Sequence, residues 1–166
     1  MTDLELTVFS AMHLHYEIDM LVRVAERPLG LRGQPIYTVD RNALVESYAI
    51  HLRNLIDFLY ASPKGDDVGA VHYVRDVARW GAALGPMPAV LTEARERVGK
   101  QIAHLTRRRF EDGAAEKTWH PETEIPAITK SLKLFIEHSD PMKLHSVVTA
   151  RVEWLPDLWM RGDSTE

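Results

Sequence analysis

Arg97 and His104 are the residues whose types and spacing could do chemistry. Both lie in the stretch VLTEARERVGKQIAHLTRRRF, Val90 to Phe110. At ~100° per residue their seven-residue separation falls within ~20° of two full helical turns, so a regular helix projects both from one strip. Leu91, Ala94, Val98, Ile102 and Leu105 recur at three- and four-residue steps and mark the buried stripe of the same helix. The Arg97–His104 strip lies ~110° round from that stripe, bordering the core without joining it. Lys100 and Arg108 lie close to it. A guanidinium and an imidazole in line, with further cations nearby, could serve a phosphodiester. The same residues could form an ordinary solvated flank, with Arg97 paired to Glu93 four residues earlier and His104 bonded to a neighbouring helix.

A second polar line backs this one. Asp40 reads as an N-cap opening a helix from Arg41 to about Tyr60. Its apolar arc is wide (Leu44, Val45, Tyr48, Leu52, Leu55, Ile56, Leu59), as befits a central element with more than one neighbour. Ser47, His51, Asn54 and Phe58 fall on one line of its other side. Ser47, His51 and Asn54 would support the site from behind, or form a polar seam hydrogen-bonded to another helix. Arg53 and Asp57 have the spacing of a surface ion pair.

The remaining elements follow from periodicity and from glycine and proline. A first helix spans Leu4 to Glu26, with Phe9, Met12, Tyr16, Met20 and Val24 as its apolar face. His13 and His15 on it diverge by ~200° and cannot share a metal ion as neighbours; one should be exposed and the other half-packed. PLGLRGQPIY is a loop. Val68 to Ala83 permits a short helix anchored by Trp80. Gly99, inside the Val90–Phe110 helix, suits close approach by a packed neighbour, and Glu111-Asp112-Gly113 ends that helix. Thr123 is a candidate cap for a fourth helix, with Pro126 in its first turn and Ile125, Ile128, Leu132, Phe135 and Ile136 buried. Asp140-Pro141 is a start signal for a fifth helix running to about Trp154. Trp154, Leu155, Leu158 and Trp159 put enough apolar surface near the C-terminus to require docking on the body or on a second copy. No stretch alternates with period two, so the expectation is an all-α, up-and-down bundle of five main helices, one domain over residues 1–166.

Composition narrows the classes. With 166 residues, 45 % of them hydrophobic, the chain can bury a substantial core. It has no cysteine, which excludes disulfides, thiolate catalysis and zinc–sulfur sites and fits a cytoplasmic location. MTDLELTVF carries acids where a signal peptide needs bases, and no apolar run approaches the ~20 residues of a membrane span. The net charge of −4 argues against nonspecific coating of nucleic acid but leaves room for the local basic patch TRRR, Thr106 to Arg109. The eight histidines include no Glu-x-x-His or His-x-x-x-His spacing, so no metal or other cofactor is expected, although His51, His104 and His138 could converge from separate helices.

The segment from Arg97 to His104, an arginine and a histidine separated by six residues, resembles the R-x(4–6)-H motif of the HEPN superfamily of helical bundles. HLRNLIDFLY (His51 to Tyr60) with KQIAHLTRRRF (Lys100 to Phe110) is similar to a bacterial group allied to that superfamily. The likeness covers two helices, about a quarter of the chain. It departs from the pattern at Val98, where HEPN nucleases usually place a polar residue directly after the motif arginine. The resemblance implies a metal-independent ribonuclease acting as a homodimer, often in toxin–antitoxin or phage-defence systems, with RNA and an antitoxin-like protein as partners. In that role His104 would move a proton at the ribose 2′-hydroxyl or the leaving oxygen. Arg97 would hold the phosphate, and Lys100, Arg107 and Arg108 would draw in the backbone. The products would be a 2′,3′-cyclic phosphate and a 5′-hydroxyl. The alternative is a noncatalytic helical dimerisation or binding module for a nucleotide or a protein.

Overall fold

In the first helix, residues four apart are buried over three successive steps: Leu6, Ser10, Leu14 and Ile18. Each such step overruns an α-helical turn by ~40°, so three accumulate ~120°, close to one residue's share of a turn. A π turn over Ser10–Leu14 absorbs that surplus. It joins α1 (Asp3–Phe9) to α2 (His15–Glu26) in one continuous run. The chain is described here by a computed structural model covering residues 1–27, 39–103, 107 and 119–155.

Thr2 and Glu5 close a capping box at the start of α1, each side chain bonding the other's backbone N–H. Because of the π turn, the buried face is not the expected one. Met12 and Tyr16 are exposed, Phe9 and Met20 are half-buried, and the core side is Leu6, Leu14, Ile18, Leu21, Val22, Val24 and Ala25. Ser10, a hydroxyl inside this apolar line, is satisfied. It donates to the Thr7 carbonyl at 2.8 Å and accepts the His145 N–H at 3.0 Å. His13 is exposed and His15 half-buried, as the spacing suggested.

α3 (Val39–Tyr60) is the central element and packs on α2, α5 and α6. Its first described residue, Val39, is already helical, so Asp40 lies within the helix rather than capping it. Tyr48, Ala49, Leu52, Leu55 and Ile56 are fully enclosed. A 3-10 turn at Ala70–His72 leads to α4 (Val77–Leu84), capped by Asp76 through the Arg79 N–H at 3.0 Å. Trp80 anchors α4 edge-on to Phe135. Gly85, at φ +64°, ends α4 in a conformation side chains resist.

α5 (Ala89–Val98) buries Leu91, Ala94 and Val98 as its spacing required. It then changes character: Gly99–Ala103 is a second π turn. Gly99 does not serve close packing, because a Cβ there would meet no described atom within 4 Å. The expected stop at Glu111-Asp112-Gly113 lies outside the described residues.

α6 (Pro121–His138) starts two residues before the expected cap, with His120 as N-cap and Pro121 in the first turn. Pro126 therefore falls inside the helix, on an exposed face where the carbonyl it leaves unbonded can meet water. Ile125, Ile128, Leu132 and Phe135 are buried as predicted, and Ile136 is partly so. Asp140-Pro141 opens a turn, with Asp140 accepting the Met142 N–H at 3.0 Å. The last helix, α7 (Ser146–Glu153), starts later, capped by His145. Leu155 is buried, whereas Trp154 is exposed rather than docked on the described body. Leu158 and Trp159 lie outside the described residues.

The architecture is an all-α bundle. Among the described residues stand the five main helices and the short α4 that the Val68–Ala83 stretch permitted, and the only β feature is an isolated bridge between Val74 and Ser139. No described helix is long and apolar enough to cross a membrane.

Candidate functional site

Arg97 leaves the last turn of α5 and points between α3 and α6. Its Nη1 donates to Glu124 Oε1 at 3.3 Å. Its guanidinium carbon lies 5.2 Å from the centre of the Trp119 ring, within cation–π range. Glu124 is 1 % exposed. Its second oxygen accepts the Tyr48 hydroxyl at 2.8 Å and the His120 N–H at 3.3 Å. Tyr48 packs edge-on against Trp119, ring centres 5.9 Å apart. One carboxylate thus ties α3, α5 and the start of α6 together.

The electrostatics follow from this burial. Removal from water pushes the Glu124 carboxyl up, and the Tyr48 hydrogen bond, Arg97 and the His120 N–H pull it back only in part. The Tyr48 hydroxyl is pushed well above its ordinary range by burial first, and then by the adjacent Glu124 charge and the hydrogen bond to it. The phenol therefore stays a donor. Both carboxylate oxygens have donors, which is the condition for tolerating a charge at this depth.

The other sequence candidates separate. His51 is buried and its Nδ1 lies 2.7 Å from Glu17 Oε2, which also accepts Asn54 Nδ2 at 3.1 Å. Tyr16 stands edge-on over His51 at 5.5 Å. This line turns to α2 through Glu17, while Arg97 turns to α6 through Glu124. Ser47 is half-buried. Lys100, in the second π turn, bonds Glu96 at 2.9 Å, and Arg107 is exposed. His104 and Arg108 lie outside the described residues. The constant step that aligned positions 97 and 104 does not hold across Gly99–Ala103, since a π turn uses one more residue per turn.

Asp57 bonds Arg53 on its own helix at 3.4 Å and also pairs with Arg95 on α5. Arg95, Asp57 and Asn54 line a cleft of about 620 Å³ against the loop that follows α3; Arg97 is not among its lining residues. Among the described residues no three histidines or carboxylates come together to hold a metal ion. His51 is engaged by Glu17, and His138 packs at 6.0 Å from Trp80.

Sequence reasoning missed Glu17, Tyr48 as a polar group, Trp119 and Glu124. Only Glu124 left a local signal. A carboxylate four residues after a helix N-cap can reach back to the cap's own N–H, much as a capping box does. No family model matches the chain, and neither a curated protein nor a solved structure does.

Proposed function

We propose that the chain is a noncatalytic helical binding module that works by protein contact, with Arg97 as a clamp inside it. The observation behind this reading is the commitment of the Arg97 guanidinium to a buried carboxylate. A phosphate arriving at Arg97 would have to compete with Glu124, and displacing Arg97 would leave that carboxylate buried without its cation. Its side chain is 17 % exposed, too little for a polynucleotide backbone to lie against. The test is incubation of the full chain with RNA in chelator-containing buffer, beside His104→Ala. The expected outcome is no cleavage by either. Cleavage by wild type that His104→Ala abolishes, with the fold intact, would overturn the reading.

A second reading, the metal-independent ribonuclease, has one observation in its favour. The π turn at Gly99–Ala103 begins two residues after Arg97, and such turns concentrate at functional sites. In that reading His104 is the proton-transfer group and Arg97 must leave Glu124 when RNA binds.

A further inference from the structure

The π turn that keeps Leu6, Ser10, Leu14 and Ile18 in the core has a consequence on the opposite face. Leu4, Val8, Met12 and Tyr16 lie two residues back along the same run, ~200° away, and the same extra residue holds them in line. They are 73, 48, 63 and 50 % exposed. Without the π turn, steps of four would carry such a line ~120° round the helix. Together the four side chains expose on the order of 400 Å² of largely apolar surface, the size of the largest patch a monomer carries, which is often a functional one.

We infer that this face is the contact between two copies of the chain, paired through antiparallel α1–α2 helices. The inference rests on the reading of the chain as a binding module and names its partner. A twofold contact requires a patch complementary to itself when reversed. This stripe is symmetric about Ser10: reversal sets Leu4 against Tyr16 of the second copy and Val8 against Met12, a large residue facing a smaller one in the second case and two bulky ones at each end. In that register Glu5 of each copy falls level with His15 of the other, a carboxylate facing a hydrogen-bonding imidazole. Glu17, the acid that would oppose Asp3, is turned inward to His51 and Asn54. The stripe supplies roughly half the ~800 Å² per partner of a stable complex. That leaves the polar flanks to form the rim.

The experiment is sedimentation equilibrium of the full chain and of Met12→Glu at tens of micromolar, with circular dichroism as the check on folding. The expected result is twice the chain mass for wild type and the chain mass for the variant at unchanged helicity. Val8→Lys serves in its place should Met12→Glu lose helicity. Since the chain has no cysteine, Val8→Cys mixed with Met12→Cys should cross-link on oxidation, and neither should do so alone. A wild-type monomer, a dimer that survives both charged substitutions, or cross-linking of each cysteine variant with itself overturns the inference. RNA cleavage by a dimer that Met12→Glu dissociates would sink the noncatalytic reading and keep this face. A monomer without RNA cleavage would do the reverse.

Discussion

Glu124 sits where a carboxylate is costly, and its three donors do not return all that burial takes. Burial raises its carboxyl above the ordinary range. Between that range and the raised value, the folded chain therefore holds more protons at this position than the unfolded chain does. The stability this group contributes is present in full below the ordinary carboxylate range and is lost as pH rises through the raised value. Glu124→Gln keeps an acceptor for Tyr48 and for the His120 N–H but does not ionise. Relative to wild type it should gain stability as pH rises across that window, measured by urea unfolding from pH about 4 to about 8. A difference that stays flat, or that moves the other way, would mean the carboxyl is not raised. Arg97 shows how far composition and spacing can be read at this scale. Its helix and its border position were visible in the pattern around Leu91, Ala94 and Val98. Its partner was not, because Glu124 is twenty-seven residues away and its one local signal, the reach back to the His120 N–H, says nothing of a partner on another helix. The Ser47–His51–Asn54 line was legible as polar, but Glu17, which decides where it faces, lies on another helix.

Among the elements, the two π turns mark where a constant helical step fails. The first helix was legible in extent, from Leu4 to Glu26, and misread in face. Met12 and Tyr16 fit a regular α-helical stripe with Phe9 and Met20, yet the chain turns them to solvent. Tertiary packing selects the alternative: Ser10 bonds the His145 N–H at the start of α7, and Leu6 and Leu14 share the core on either side of it. Deleting Ala11 should close Ser10–Leu14 into ordinary α-helix and leave Leu6 and Ile18 in register, since eleven residues at ~100° turn ~1100°, within ~20° of three full turns. Inserting an alanine after Ala11 should instead rotate α1 by ~100° against α2 and take Leu6 out of the core. The expected loss for the insertion is about 3 kcal/mol of unfolding free energy, comparable to truncating a buried leucine. A deletion variant destabilised as much as the insertion in urea would show that the π turn does not carry the one surplus residue. Helix starts were less legible than helix bodies. Asp140-Pro141 has the residue types of a helix start but opens a turn, and His145 caps α7 instead.

On the scale of the molecule, the all-α bundle was readable from the absence of period-two alternation and from four strong apolar faces. The wide arc of α3 correctly placed it at the centre, touching α2, α5 and α6. What could not be read was the way those helices are joined across the core. The junction is the Arg97–Glu124–Tyr48 network, with Trp119 against the guanidinium. It fastens three helices at one point, so removing a member should weaken the whole fold rather than one surface. The direct measurement is a double-mutant cycle on Arg97→Ala and Glu124→Ala, read by urea unfolding of the full chain. The clamp predicts that Arg97→Ala alone costs about 3 kcal/mol, since it strands a buried charge, and that the double variant recovers a substantial part of that loss. An Arg97→Ala variant as stable as wild type, with a coupling near zero, would contradict it and return the guanidinium to the solvent side as a group available to a ligand.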